Sequence, residues 1–248
     1  MAAHRSEARA RLAHRLAWQQ LLHDGTQDPR NHLAVLPGLR RFQQRRLALS
    51  FRDFLERPST RPAATFFLED LYGDKDHSGR DRDVARVAPM MARLLPAGLV
   101  LALAQAVELG ALSHAFDLRV AEALHEAGVG PESIDLAAYG TAYRAAGLPR
   151  LRRHQIHLIV EVGRTLDRAV HTMGVARMLR LSRVPARAAG VMGLQAFLER
   201  GFEAFRALEG ADGFLRAISE RETAASARLF EGAGEPFGPR VQPNSRSR

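Results

Sequence analysis

Residues 65 to 87 read TFFLEDLYGDKDHSGRDRDVARV, a stretch that holds the densest aromatic cluster and the densest acidic cluster of the chain. Phe67 with Leu71 and Leu68 with Tyr72 are four apart, so on a helix they lie above one another. Phe66 carries the apolar arc almost all round. A short helix that is apolar on most sides must sit among other elements, which leaves Glu69 and Asp70 the remaining polar sector. Gly73 suits the left-handed position that ends such a helix. Ser78 and Asp81, three apart, have the spacing of a capping box at the entrance to another helix. The expectation built on this stretch is an all-α protein.

The run FFLEDLYG, Phe66 to Gly73, resembles the signature of the FFLEELY-motif family of uncharacterised bacterial proteins, with Asp70 where the family name has Glu. The resemblance extends through Asp81 and Asp83 and the helical segments up to about residue 230. It implies one all-α unit over most of the chain, with a mainly structural role for Phe66, Phe67, Leu68, Glu69, Asp70, Leu71, Tyr72, Gly73, Asp81 and Asp83. It brings no reaction and no catalytic residue with it.

Working outward, 248 residues with 46% hydrophobic content are enough for a sizeable core. The absence of cysteine excludes disulfides and thiolate ligands or nucleophiles, and fits a reducing cytoplasm. Met1 to His23 carries Arg5, Arg9, Arg11 and Arg15 without a continuous apolar run, which argues against a secretory signal. The longest apolar stretch, Leu94 to Leu112, contains Pro96, Gln105 and Glu108, so it falls short of a membrane span and reads as a central buried helix. Charge is segregated along the chain. Residues 1–57 carry 11 basic and 5 acidic groups, 58–149 carry 8 and 12, and 150–187 carry 9 and 2. The basic excess thus flanks an acidic middle that contains the signature.

In chain order, helices are expected at 4–23, 38–56, 66–72, 82–94, 96–126, 131–146, 151–172, 174–183, 191–208 and 212–231. The clearest amphipathic pattern is Leu194, Phe197, Leu198, Gly201, Phe202, Phe205 and Leu208, a core stripe. From Gly232 onward Gly, Pro, Ser and Arg replace periodic apolar residues. The expected organisation is an all-helical domain over 1–231, bundle-like with roughly eight to ten helices built around 64–112, and a disordered tail over 232–248.

Candidate chemistry is sparse. Asp74, Asp76, Ser78 and Gly79 match the first half of a calcium loop, but Ala85 stands where the bidentate Glu is required. Glu122 and His125 have the spacing of one di-iron motif, and such sites need two. His154, His157 and Glu161 share a helical face with Arg164 and Arg168, whose guanidinium groups oppose a divalent cation. His114, Glu122 and His125 fall on the side opposite Leu112, Phe116, Val120 and Leu124, and are read as solvated. No phosphate loop, dinucleotide fingerprint or nucleophile elbow occurs. The sequence therefore assigns no metal site, no cofactor and no catalytic residue.

Arg177, Arg180, Arg183 and Arg187 recur every three or four residues and can line one side of a helix or of two helices in continuation, with Met173, Met178, Leu181 and Val184 among them. The reading carried forward is a non-catalytic cytoplasmic binding or regulatory module for a protein or anionic partner. An acidic protein is the preferred partner; nucleic acid is disfavoured because no stacking aromatic or recognisable module accompanies the stripe, and an interfacial membrane helix, which the apolar residues permit, is ranked below the protein as well. The alternative is a metal-dependent enzyme that uses Glu69, Asp70 and histidines in a helical bundle.

Overall fold

The computed structural model describes residues 2–71, 87, 97–208 and 210–238, whose regular elements are all helices, with no strand among them. The expected turn at Tyr72 and Gly73, the capping box at Ser78 and Asp81, the calcium-like loop, Asp83 and most of the helix at 82–94 lie outside the described residues. The order is α1 (Ala2–His23), a 3-10 turn (Pro29–His32), α2 (Val35–Ser50), α3 (Arg52–Glu56), α4 (Arg61–Thr65) and a π-helix (Phe66–Leu71). Then come α5 (Ala97–Glu126), α6 (Leu136–Ala146), α7 (Pro149–His171), α8 (Val175–Leu181), α9 (Arg183–Ala188), α10 (Met192–Arg206) and α11 (Asp212–Glu231).

α5 is the axis. Its first turns set Val100, Ala104 and Val107 against Ala8, Leu12 and Leu16 of α1. Further along, Leu112 and Phe116 meet Leu158 of α7. Its last turns set Leu118, Val120, Ala121 and Leu124 among Leu36, Leu39 and Phe42 of α2 and Tyr139 and Tyr143 of α6. Each such side chain taken fully out of water contributes roughly 1.5–3 kcal/mol before the entropy of ordering is subtracted. A second core lies beside the first, where Leu47, Phe51 and Phe54 meet Phe67, Leu68, Ile159, Phe205, Phe214 and Ile218. The 194–208 stripe is thus core as expected, with Leu194, Phe202, Phe205 and Leu208 all buried.

Local chemistry explains several boundaries. Asp28 accepts from the Arg30 backbone N–H and opens the 3-10 turn, with Pro29 at a first-turn position where its missing N–H costs nothing. Asp135, extended, accepts from Ala138 N at 2.8 Å and starts α6. The sequence expectation starts that helix at Pro131, five residues before Leu136, because a proline marks where a helix can start and the cap marks where it does. The single helix expected over 38–56 is broken at Phe51, whose backbone leaves the helical region between α2 and α3.

Two approaches fix the packing. A Cβ built on Gly38 of α2 would come within 2.8 Å of Pro131 Cα, so α2 reaches the loop before α6 only with glycine at this position. Residues 233–238, which the sequence reading places in the tail, return to the body. Phe237 is buried beside Tyr139, with ring centroids 6.2 Å apart, and Arg228 Nε donates to Pro236 O at 2.8 Å. A single aromatic anchor in a Gly- and Pro-rich stretch leaves no periodic signal, which is why composition misses it.

Gly38→Ala is expected to destabilise by about 2 kcal/mol or more, because backbone must shift and the loss exceeds the roughly 0.5–1 kcal/mol that alanine gains in a helix. A gain in denaturant midpoint would refute the close approach. Phe237→Ala is expected to cost about 2–4 kcal/mol, near the lower range for a buried aromatic. A melting curve identical to that of the native chain would show that the segment does not hold the body.

Candidate functional site

The signature residues are placed by packing. Phe66, Phe67 and Leu68 are buried while Glu69 is exposed. The element is wound as a π-helix rather than the expected α-helix. The Phe66 ring lies 5.2 Å from that of Phe197, and a Cβ on Gly201 of α10 would come within 2.8 Å of Phe66 Cζ, so the ring occupies the space that a side chain would take. Asp70 is buried, and Arg200 reaches it with Nη2 at 2.6 Å and Nε at 3.1 Å, both on Oδ1. This carboxylate therefore ties the π-helix to α10. Among the described residues no three His, Asp or Glu side chains are grouped to hold a metal.

The polar residues of α5 form a second, buried centre. His114 is only 5% exposed, which corrects the reading of this residue as solvated. Its own helix face is covered by α1 and the 3-10 turn, an arrangement that periodicity within one helix cannot reveal. Arg40 Nη2 lies 3.0 Å from His114 Nδ1, and Asn31 Oδ1 lies 2.8 Å from Nε2. A guanidinium only donates, so Nδ1 accepts and the ring proton sits on Nε2. Asn31 Nδ2 in turn donates to the carbonyls of Leu22 and Asp28, each at 2.9 Å. Burial pushes the His114 pKa down to about 3, aided by the His23 ring stacked at 3.9 Å and by Arg40. Burial raises the Asp117 carboxyl above its ordinary value, against the opposing pull of Arg40 and Arg152.

The other residues singled out in sequence are dispersed. Glu122 receives Arg30 Nη1 at 3.1 Å and His125 is exposed. His154 Nε2 lies 3.3 Å from Glu108, which also meets Arg15 at 3.0 Å, while His157 lies 4.0 Å from Glu161. His157 and Glu161 both lie on α7, the other pairs join separate elements, and the set does not converge on one point. A cleft of about 420 Å³ between α3 and the start of α11 is lined by Asp53, Phe54, Arg57, Phe214 and Arg221. Its inner guanidinium is already engaged, since Arg221 holds both Asp53 oxygens at 2.7 and 2.9 Å.

The arginine stripe is different. Ser182 lies in helical conformation between α8 and α9, its N–H bonded to Met178 O at 3.0 Å and its carbonyl accepting from Ala186 N at 2.9 Å, so the two helices run on. One side is held: Ala186 is buried beside Val87, Val191 and Leu194. Buried Gln195 of α10 donates to Leu179 O at 2.7 Å and accepts from Ser182 Oγ at 3.0 Å, which satisfies groups at the end of α8. Of the four expected arginines, Arg183 is engaged, its Nε and Nη2 at 2.6 and 3.0 Å from the two Glu199 oxygens. That guanidinium, with Gln195, holds the Glu199 carboxyl below its ordinary range. Arg177, Arg180 and Arg187 are exposed and form no ion pair with any described residue. Beside them Met173 is 97% exposed, Val184 78% and Leu181 66%. Sequence reasoning found the stripe; it could not tell the paired arginine from the free ones, because the partner lies on another helix.

The fold and this face define an all-α protein with an outward basic and apolar surface. The family described as Domain of unknown function (DUF8198) matches residues 22–236, most of the chain, and the protein belongs to that family. No curated protein and no solved structure matches.

His114 gives the buried centre a pH signature. Its proton affinity is ordinary, near pKa 6.5, in the unfolded chain and much weaker when folded, so below that pH the unfolded state binds the extra proton. Stability is expected to fall as pH drops from 6.5 towards 3, by at most about 1.4 kcal/mol per unit. Asp28 and Asp53, held low by Arg30 and Arg221, add their losses only at still lower pH. His114→Gln is expected to flatten urea midpoints between about pH 6 and 4.5. Parallel curves for native protein and variant would contradict this.

Proposed function

We propose that the protein is a non-catalytic binding module, acting in the cytoplasm, that engages an anionic partner through α8 and α9. One observation carries the reading. Arg177, Arg180 and Arg187 stand exposed without a described counter-charge, on a helical face whose inner side is bound to α10. An exposed cationic group costs nothing to leave in water, but a row of them beside uncovered apolar side chains is what an anionic surface can use. The resemblance of Phe66–Gly73 to the FFLEELY signature supports the same division of labour. Phe66, Phe67 and Leu68 serve packing and Asp70 serves the pair with Arg200, which leaves the outer side of α8–α9 free of the role that the signature fills.

The test is Arg177→Gln, Arg180→Gln and Arg187→Gln together. Exposed positions of this kind change stability by no more than about 0.5 kcal/mol each, so helicity and melting are expected to be retained. Affinity capture from cell extract, with protein, nucleic acid and lipid all assayed, is expected to lose at least one component that the native chain retains and that elutes with salt. An identical recovered set with an intact fold would overturn the reading.

A further inference from the structure

The outward face of α8–α9 can be followed residue by residue. Arg180, Leu181, Val184 and Arg187 lie three, four, seven and ten residues after Arg177 along a helical path continuous through Ser182, so the five share one side. Met173 precedes them at the turn after α7. Arginines and large apolar side chains thus occupy the same face, instead of the usual separation into a wet side and a core side. Between Asp167 and Glu199 the sequence contains no carboxylate at all, while Arg168, Arg177, Arg180, Arg183 and Arg187 fall in that interval.

Exposure selects the kind of partner. A groove that receives a helix shields its own apolar residues on two sides, whereas Met173 at 97%, Val184 at 78% and Leu181 at 66% project from the surface. Projecting apolar side chains ringed by guanidinium groups suit a partner that is soft and can be entered. An anionic bilayer is such a partner: its acyl boundary accepts apolar side chains and its phosphates accept the guanidinium donors. Arginine also forms bidentate bonds with phosphate, and here there is no lysine in the segment.

We infer that α8–α9 docks on an anionic lipid surface, with Met173, Leu181 and Val184 entering the interfacial layer and Arg177, Arg180 and Arg187 bound to lipid phosphates. This names the partner of the face assigned above and rests on that assignment. The protein associates with the surface and does not cross it, and no helix among the described residues is long and apolar enough to span. Binding has two separable parts. Charge brings the protein to the surface and weakens with salt, and burial of the three apolar side chains holds it there.

The experiment is co-sedimentation of the full chain with vesicles of phosphatidylcholine alone or mixed with phosphatidylglycerol. The native protein is expected to partition onto the mixed vesicles only, less as salt rises. The triple Arg→Gln variant is expected to bind on the order of a hundredfold more weakly, from roughly fivefold per charge near an anionic surface. Met173→Gln, Leu181→Gln and Val184→Gln together leave the charge unchanged and are expected to weaken binding by at least about tenfold. Retention of native affinity by this second variant would overturn the inference, since attraction by charge alone needs no inserted side chain. Absence of native binding to mixed vesicles would overturn it as well. If the Arg→Gln variant nevertheless loses an acidic protein or nucleic acid in the capture experiment, the binding-module reading stands without the bilayer; if it loses nothing, both fall. Circular dichroism of each variant separates a lost surface from a lost fold.

Discussion

A thirty-residue helix that is apolar on nearly every side cannot remain in water, and most of the architecture follows from covering α5. The cover cannot be purely apolar, because Glu108, Ser113, His114 and Asp117 are carried inward with it. Each then requires a partner from the helix laid against it. Arg15 of α1 and His154 of α7 meet Glu108, and Gln155 of α7 donates to Ser113 at 2.8 Å. Arg40 of α2 serves His114 and lies 3.7 Å from Asp117. Apolar contact alone would let these helices slide by a turn with little penalty. The polar pairs fix their register, since a shift would leave a buried donor or acceptor unmatched at about 1–3 kcal/mol each.

Arginine does in this chain what aromatic and aliphatic residues do in others. The Arg152 guanidinium lies 3.7 Å from the Phe116 ring centroid and 4.7 Å from that of Tyr143, and Arg221 lies 5.0 Å from Phe54. Arg46 is buried, pairs with Glu222 at 2.5 Å and faces the Phe237 ring at 5.1 Å. The planar, weakly hydrated guanidinium tolerates such places where an ammonium does not. The basic composition is therefore not one property. Part of it is core, part is ion pairing, and a remainder, which includes Arg177, Arg180 and Arg187 at α8–α9, is exposed without an ion pair among the described residues.

That division explains what could be read beforehand. Helices with one apolar side were legible, as at 191–208, because burial and sequence share the same period there. The central helix was legible from its length and composition. The π-helix was not, because the i→i+5 winding at Phe66–Leu71, which packs against Phe197, Arg200 and Gly201 of α10, leaves no trace in FFLEDL itself. His114 was misread for a related reason: a helical wheel shows which residues share a side, and only the neighbours decide whether that side is wet. At the candidate site the four arginines were legible as a stripe. The pairing of Arg183 with Glu199, sixteen residues away on α10, and the exposure of Met173 were not.

The closure of the body by Phe237 has a consequence for synthesis. The inner sides of α2 and α3 are completed by groups that lie far along the chain: Arg46 of α2 meets Glu222, which is 176 residues later, and then Phe237, while Asp53 of α3 waits for Arg221. A ribosome delivers α2 long before α11 and the segment after it. During that interval a buried-type arginine and the apolar row of Leu39, Phe42 and Leu47 have nothing from the C-terminal end to cover them. Folding of the N-terminal helices therefore cannot finish in the order in which they emerge. The nascent chain carries an open seam until residue 237 has emerged from the ribosome, and through that interval the seam is apolar surface exposed to aggregation.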